Sequence, residues 1–245
     1  MSSNKLNPRE RLIFALDVDS LGAAEKLVSA LRDWIAIFKV GHELYTAVGP
    51  AAVRMVKGQG VACFLDLKYH DIPATVARSG VAAMRLGADM FNLHAQGGEE
   101  MMRICARACR DEAAREGRRP PIILGVTILT SLDNGAIRQL GYERSVREQA
   151  LRLARMARDS GLDGVVASPE EAREIKDTCG EEFLVVTPGV RPSWASAGDH
   201  RRIMTPAGAR ENGADYIVVG RPIRDAADPA DAARRIWREL AEMQG

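Results

Sequence analysis

Asp66, Lys68 and Asp71 stand in the stretch Asp66-Leu67-Lys68-Tyr69-His70-Asp71-Ile72-Pro73, directly after the apolar run Val61-Ala62-Cys63-Phe64-Leu65. In an extended strand successive side chains alternate faces, so Asp66 and Lys68 share one face and Leu67 takes the other. Asp71 falls beyond the expected strand end, because Pro73 cannot donate to a sheet ladder and Ile72 before it is held extended. Carboxylates and an ammonium this close perturb one another's protonation, which suits proton transfer and the handling of a charged substrate. The plainer alternative is an ion pair that closes a strand end.

Polar residues recur where other apolar runs end: Asp17, Asn92 and His94, Thr127 followed by Thr130-Ser131, Thr187-Pro188-Gly189, and Gly220-Arg221. Lys39 lies inside Ile35-Ala36-Ile37-Phe38-Lys39-Val40, where a buried lysine requires a partner. Asp17, Lys39, Asp66, Lys68 and Asp71 could therefore alternate in charge, each stabilising its neighbour's ionised form and titrating as a coupled set. Gly220 would let backbone amides approach an anion, and Arg221 would add a bidentate clamp, which together read as a phosphate site. The alternative for Arg221 is an arginine stacked on the surface. Arg191 opens a glycine-, serine- and proline-bearing segment running to about His200, longer than an ordinary βα loop, which reads as a lid. His94 is as readily a histidine that hydrogen-bonds neighbouring backbone as a catalytic one. His70 points away from its neighbours on simple alternation, so both histidines stay outside the catalytic set.

These residues need a frame that gathers strand ends. Short β-rich runs recur at Leu12 to Leu16, Ile35 to Val40, Val61 to Leu65, Met90 to Leu93, Ile122 to Val126, Gly164 to Ala167, Phe183 to Val186 and Tyr216 to Val219. Helical patterns fall between them at Ala23 to Leu31, Pro50 to Lys57, Pro73 to Leu86, Glu99 to Arg115, Val146 to Ser160, Pro169 to Asp177, Pro206 to Asn212 and Pro229 to Met243. Leu86-Gly87-Ala88-Asp89, Ser160-Gly161-Leu162-Asp163 and Asn212-Gly213-Ala214-Asp215 each read as helix, glycine cap, then strand. Strands apolar throughout are buried on both faces, which points to a parallel sheet covered by helices. The expectation is an α/β fold, a single (β/α)8 TIM barrel over residues 1–245, with its site at the C-terminal ends of the strands. No strand is followed by G-x-G-x-x-G or a P-loop, which weakens a dinucleotide-binding fold.

Composition excludes several classes. Thirty-four basic against thirty-three acidic residues leave a net charge of +1, so no global field favours nucleic acid or an acidic membrane, and an anionic ligand must be gripped locally. Cys63, Cys105, Cys109 and Cys179 form no C-x-x-C pair and read as buried thiols of a reducing, cytoplasmic compartment rather than metal ligands. No apolar run is long enough for a membrane span, and residues 1–11 lack a signal-peptide core.

The ordered motifs Phe14-Ala15-Leu16-Asp17, Asp66 to Pro73, Leu129-Thr130-Ser131, Thr187-Pro188-Gly189-Val190-Arg191 and Val219-Gly220-Arg221 resemble the orotidine 5′-monophosphate decarboxylase family over nearly the whole chain. The resemblance implies a homodimer of barrels with the site at the subunit interface and neither metal nor organic cofactor. It implies a catalytic array of Lys39, Asp66, Lys68 and Asp71, with Lys68 the proton donor and Asp71 reaching into the neighbouring subunit's site. It further implies that Asp17 and Lys39 contact the ribose, Thr75 the substrate across the interface, and Thr130 and Ser131 the pyrimidine. Pro188 would join the substrate-binding set, and Arg191, Gly220 and Arg221 would bind or enclose the phosphate. One position departs from the pattern: His200, after Asp199, stands where the family's glutamine bridges base and phosphate.

Two rival enzymes and a binding module remain distinguishable. A related barrel group with D-x-K-x-x-D uses Mg²⁺ to hold an enediolate, with carboxylates as ligands. Ile72-Pro73, Thr130-Ser131 and Thr187-Pro188-Gly189 favour the nucleotide enzyme over it. A Schiff-base aldolase would want a neutral lysine, whereas flanking aspartates hold Lys39 and Lys68 charged. A non-catalytic nucleotide binder has little reason to keep so many charges at depth.

Overall fold

The computed structural model describes residues 6–195 and 204–242. Its strands are β1 (Leu12–Ala15), β2 (Ile37–Val40), β3 (Ala62–Tyr69), β4 (Met90–His94), β5 (Ile122–Val126), β6 (Gly164–Val166), β7 (Leu184–Thr187) and β8 (Tyr216–Val219). They pair in parallel in sequence order and β8 closes on β1, giving a barrel. The helices are α1 (Pro8–Arg11), α2 (Leu21–Leu31), α3 (His42–Val48), α4 (Ala51–Gly58), α5 (Pro73–Leu86) and α6 (Glu99–Arg115). They continue with α7 (Asn134–Gln139), α8 (Val146–Asp159), α9 (Ala172–Cys179), α10 (Pro206–Glu211), α11 (Arg221–Arg224) and α12 (Pro229–Glu242).

The period of two along each strand splits the apolar residues into two cores. Outward-facing Phe14, Phe38, Leu65, Phe91, Ile123, Val165, Val185 and Ile217 pack under the helices, with Phe14 and Phe38 edge to face at 6.1 Å. Inward-facing Ile13, Phe64, Met90, Leu124, Val186, Tyr216 and Val218 fill the barrel itself. A filled interior forces ligand binding to the rim, and the same inward rows continue upward into the polar residues there.

The three glycine junctions carry a second device. Gly87, Gly161 and Gly213 have φ of 102°, 82° and 100°, the left-handed cap conformation that glycine adopts without a Cβ clash. The aspartate two residues later then ties down the entrance of the preceding strand. Asp89 accepts from the Cys63 N–H at 2.7 Å, Asp163 from Ile123 at 2.8 Å, and Asp215 from Val185 at 2.7 Å. Each carboxylate also meets a cation from a covering helix, respectively Lys57, Arg110 and Lys176.

The expected helix limits of α5 and α6 and strand limits of β5 and β8 coincide with those observed. Others differ. β2 begins at Ile37 rather than Ile35, and β3 runs on through Tyr69 instead of ending at Leu65. The short helices α1, α3, α7 and α11 lie outside the expected pattern, being too brief to show a hydrophobic period. Cys105 and Cys109 are buried and unoxidised in the seam where α6 packs on α5.

Candidate active site

The inward rows of β1, β2 and β3 each end in charge: Ile13, Ala15 and then Asp17; Ile37 and then Lys39; Phe64, then Asp66 and Lys68. These side chains form one chain of ion pairs. Lys39 Nζ lies 3.3 Å from Asp17 Oδ1 and 3.1 Å from Asp66 Oδ2, and Lys68 Nζ lies 2.6 Å from Asp66 Oδ1. Burial alone would lower the Lys39 pKa, but the charges of Asp66 and Asp17 outweigh it and leave the ammonium above its ordinary value. Burial likewise pushes the Asp66 carboxyl up, and Lys39, Lys68 and hydrogen bonds from Lys68 and Asn92 more than reverse it, leaving the acid below its ordinary range. Arg224 on α11 steadies the far end of the chain, donating to the Asp17 carbonyl at 2.8 Å.

Lys68 has an unusual backbone. Leu65 pairs with Phe91 and Tyr69 with Leu93, so β3 spends residues 66–68 opposite Asn92 alone. Among the described residues Lys68 is the only non-glycine residue with positive φ, at 48°. Its N–H donates to Asn92 Oδ1 at 2.8 Å, and Asn92 Nδ2 donates to Asp66 Oδ1 at 2.6 Å. Leu67 and Tyr69 still pack against the outer core, so Asp66 and Lys68 share the inner face as alternation requires.

A cavity of about 360 Å³ opens above this network. Asp17, Lys39, Asp66 and Lys68 line it from the ends of β1 to β3, Thr130 and Ser131 from beyond β5, and Pro188, Arg191, Gly220 and Arg221 from beyond β7 and β8. Its lining joins an apolar floor of Phe64, Val126, Val166 and Val218 to a rim of opposed charges. A flat, partly apolar ring with an anionic arm matches that division.

Residues 10–236 match the family described as Orotidine 5'-phosphate decarboxylase / HUMPS family. The chain belongs to that family. It is 54% identical over 237 residues to the orotidine 5′-phosphate decarboxylase of Moorella thermoacetica, covering 96% of this chain and 94% of the relative. The Syntrophotalea carbinolica protein of the same name is 52% identical over 233 residues, covering 95% and 96%. Among solved structures, the Lactobacillus acidophilus orotidine 5′-phosphate decarboxylase superposes with a TM-score of 0.83 at 38% identity, covering 94% of this chain and 99% of that one.

The family motif is thus divided by the fold. Asp66 and Lys68 reach the cavity of their own barrel, whereas Asp71 does not line it: it is exposed in the turn before α5 and accepts from the Ile72 N–H at 2.6 Å. Thr75 sits in the first turn of α5, also away from the cavity lining. The five-residue charge array read from the sequence is therefore joined through Asp17, Lys39, Asp66 and Lys68 within one barrel, with Asp71 apart. His200 lies outside the described residues, as does the rest of the segment read as a lid beyond residue 195. Where that segment opens, the Arg191 N–H donates to the Met204 carbonyl at 2.9 Å, and the Arg235 guanidinium covers the Trp194 ring at 4.5 Å.

Two strand-end threonines have structural duties instead. Thr127 Oγ1 donates to the Val166 carbonyl at 3.0 Å and Thr187 Oγ1 to the Tyr216 carbonyl at 3.4 Å, tying adjacent strands. Of the two readings open for His94, hydrogen-bonding to neighbouring backbone is not made through its buried Nδ1, which has no hydrogen-bond partner among the described residues. Its ring lies 5.3 Å from that of His70, and burial, with the charges of His70 and Lys68, pushes its pKa down to about 4. Sequence reasoning noted Asn92 only as a polar strand end and missed Gly41, on which a Cβ would stand 2.8 Å from Lys39 Nζ. The signal for Asn92 was available: an amide within Met90-Phe91-Asn92-Leu93 on the inward row needs buried partners.

Proposed function

We propose that this protein decarboxylates orotidine 5′-monophosphate to uridine 5′-monophosphate, the final step of UMP synthesis, using no metal or coenzyme. The observation that carries the reading is the Lys68 ammonium on the cavity wall, 2.6 Å from a buried carboxylate that also faces Lys39. In the reaction the bond between C6 and the carboxylate carbon breaks, carbon dioxide departs, and the electron pair stays on C6. No carbonyl adjoins C6 to delocalise it, so the stabilisation must be electrostatic. Lys68 meets the developing anion and then gives its proton to C6, leaving a neutral amine that solvent reprotonates. Such an interaction is stronger in the transition state than in the ground state, which is the condition for a faster chemical step. Asp66, beside the substrate carboxylate, would add repulsion that its departure relieves.

The rest of the lining divides by chemistry. Asp17 and Lys39 suit ribose hydroxyls, Thr130 and Ser131 the pyrimidine edge, and Arg191, Gly220 and Arg221 the phosphate, with Pro188 packing beside it. Phosphate contacts remote from C6 would contribute binding energy towards closure and desolvation. Asp71, exposed, and Thr75, half-buried, both lie off the cavity lining of their own barrel and fit a homodimer in which they complete the partner's site. A cofactor-free reading is favoured over Mg²⁺ chemistry by the state of Asp66: Oδ1 takes Lys68 and Asn92, and Oδ2 takes Lys39, leaving a poor cation ligand.

The test is the fall in ultraviolet absorbance when purified protein, EDTA and orotidine monophosphate are mixed. Turnover in EDTA is expected, and activity that requires added Mg²⁺ would instead favour the metal-dependent branch. Lys68→Ala should abolish turnover while uridine monophosphate still binds. Undiminished turnover by that variant removes Lys68 from its role.

A further inference from the structure

The bend that presents Lys68 leaves a problem of hydrogen bonding. With residues 66–68 set against Asn92 alone, the Lys68 N–H has lost its regular place in the β3–β4 ladder, and its left-handed φ is one that a lysine adopts only under constraint. The constraint is a single buried amide. Asn92 is 0% exposed, its Oδ1 takes the Lys68 N–H at 2.8 Å, and its Nδ2 gives a hydrogen to Asp66 Oδ1 at 2.6 Å. That same Asp66 oxygen receives Lys68 Nζ. A primary amide carries its acceptor and its donors on opposite arms, so one side chain fixes both the backbone from which Lys68 springs and the carboxylate that aims its ammonium.

We propose that Asn92 is a positioning residue for decarboxylation, holding the Lys68 ammonium in its reactive place before substrate arrives. This rests on Lys68 being the proton donor. A purely structural Asn92 would satisfy buried groups and stabilise the barrel without affecting the chemical step of the folded enzyme.

Two substitutions separate these roles. Asn92→Ala removes both arms. Asn92→Asp keeps size and an acceptor for the Lys68 N–H, but sets a second carboxylate against Asp66. The groups facing that pair are Lys39 on β2, Lys68 on β3, Asp17 beyond β1 through Lys39, and His94 on β4, with the His70 ring tilted beside it at 5.3 Å. Two adjacent carboxylates share a proton, so the introduced acid is neutral at low pH and there supplies the donor that Asn92 provided.

The experiment is steady-state decarboxylation of orotidine monophosphate across pH, with folded sites counted by uridine monophosphate binding. Asn92→Ala is expected to lose on the order of 100-fold in kcat per folded site with KM little changed, since misplacing a reacting group by about an ångström costs that much. Asn92→Asp is expected to be impaired at neutral pH and to regain kcat as pH falls, a trend that mere destabilisation would not give. Should Asn92→Ala fail to fold, the pH profile of Asn92→Asp carries the test. A kcat per folded site within about twofold of the wild type in the folded variants, with an unchanged pH profile, overturns the inference. A wild type that releases no carbon dioxide, or a Lys68→Ala variant at full rate, overturns the proposed function instead.

Discussion

Lys39 shows how a single residue is held against its own preference. Its ammonium is buried in the barrel mouth, where desolvation favours the neutral amine, yet Asp17 and Asp66 keep it charged. The consequences for stability have opposite signs at the two ends of the pH scale. Asp66 has a depressed pKa, so its contribution is present above the ordinary 3.8 and is lost as pH falls through the folded-state value. Lys39 has a raised pKa, so its contribution is present below the ordinary 10.5 and is lost as pH rises through the folded-state value. Gly41 keeps the arrangement possible. An added Cβ would lie 2.8 Å from Lys39 Nζ and 3.4 Å from Asp17 Oδ1, while the glycine's φ of −98° suits any residue. Gly41→Ala therefore displaces the tip of a flexible side chain rather than the backbone. Turnover should fall on the order of 100-fold with the unfolding midpoint nearly unchanged. Full activity, measured beside a denaturant titration, would show that Lys39 tolerates another position. The need of Lys39 for partners was legible in the sequence because a lysine flanked by apolar residues on both sides must be paired. The role of Gly41 was not, since it depends on where a side chain two residues earlier ends in space.

At the scale of elements, the same junction appears before β4, β6 and β8, but its surroundings differ. Asp89 with Lys57 and Asp163 with Arg110 are partly exposed, with side-chain exposures of 45% and 36% for Asp89 and Lys57, and 36% and 45% for Asp163 and Arg110. Lys176 and Asp215 are each only 2% exposed and 2.7 Å apart. An aspartate-to-asparagine change keeps an acceptor for the strand N–H and deletes only the charge. Asp215→Asn strands a buried ammonium and should cost about 3–5 kcal/mol. Asp89→Asn and Asp163→Asn should each cost about 1 kcal/mol or less, because water screens their partners. Equal shifts in the three denaturation midpoints would contradict this dependence on burial. The glycines of these junctions were readable as helix caps, and the strands were readable from their apolar runs. The fixing of strand entrances by the following aspartates was not, because each bond joins residues more than twenty positions apart. The bend of β3 escaped for a related reason: nothing local to Leu67-Lys68 calls for a left-handed residue, and the Asn92 amide that supports it belongs to another strand.

For the whole molecule, the decisive question is which barrel Asp71 serves. Asp71 is exposed, Ile72 beside it is 66% exposed although apolar, and neither lines the cavity of its own barrel. An exposed isoleucine between a carboxylate and the start of α5 fits a surface covered by a second copy, which would carry Asp71 and Thr75 to the partner's cavity. The proposed arrangement makes a sharp demand on mixed dimers. In a dimer of one Lys68→Ala and one Asp71→Ala subunit, one site lacks both groups. The other combines the intact Lys68 of one chain with the intact Asp71 of its partner. Random reassortment of equal amounts should make half of the dimers mixed, each with one complete site, so about a quarter of wild-type activity should return from two inactive parents. If Asp71 served its own barrel, every site in the mixture would lack one group and no activity would return. Assaying the parents, the reassorted mixture and its sedimentation behaviour together separates these outcomes, since a mixture that stays inactive while forming mixed dimers would confine each site to a single chain.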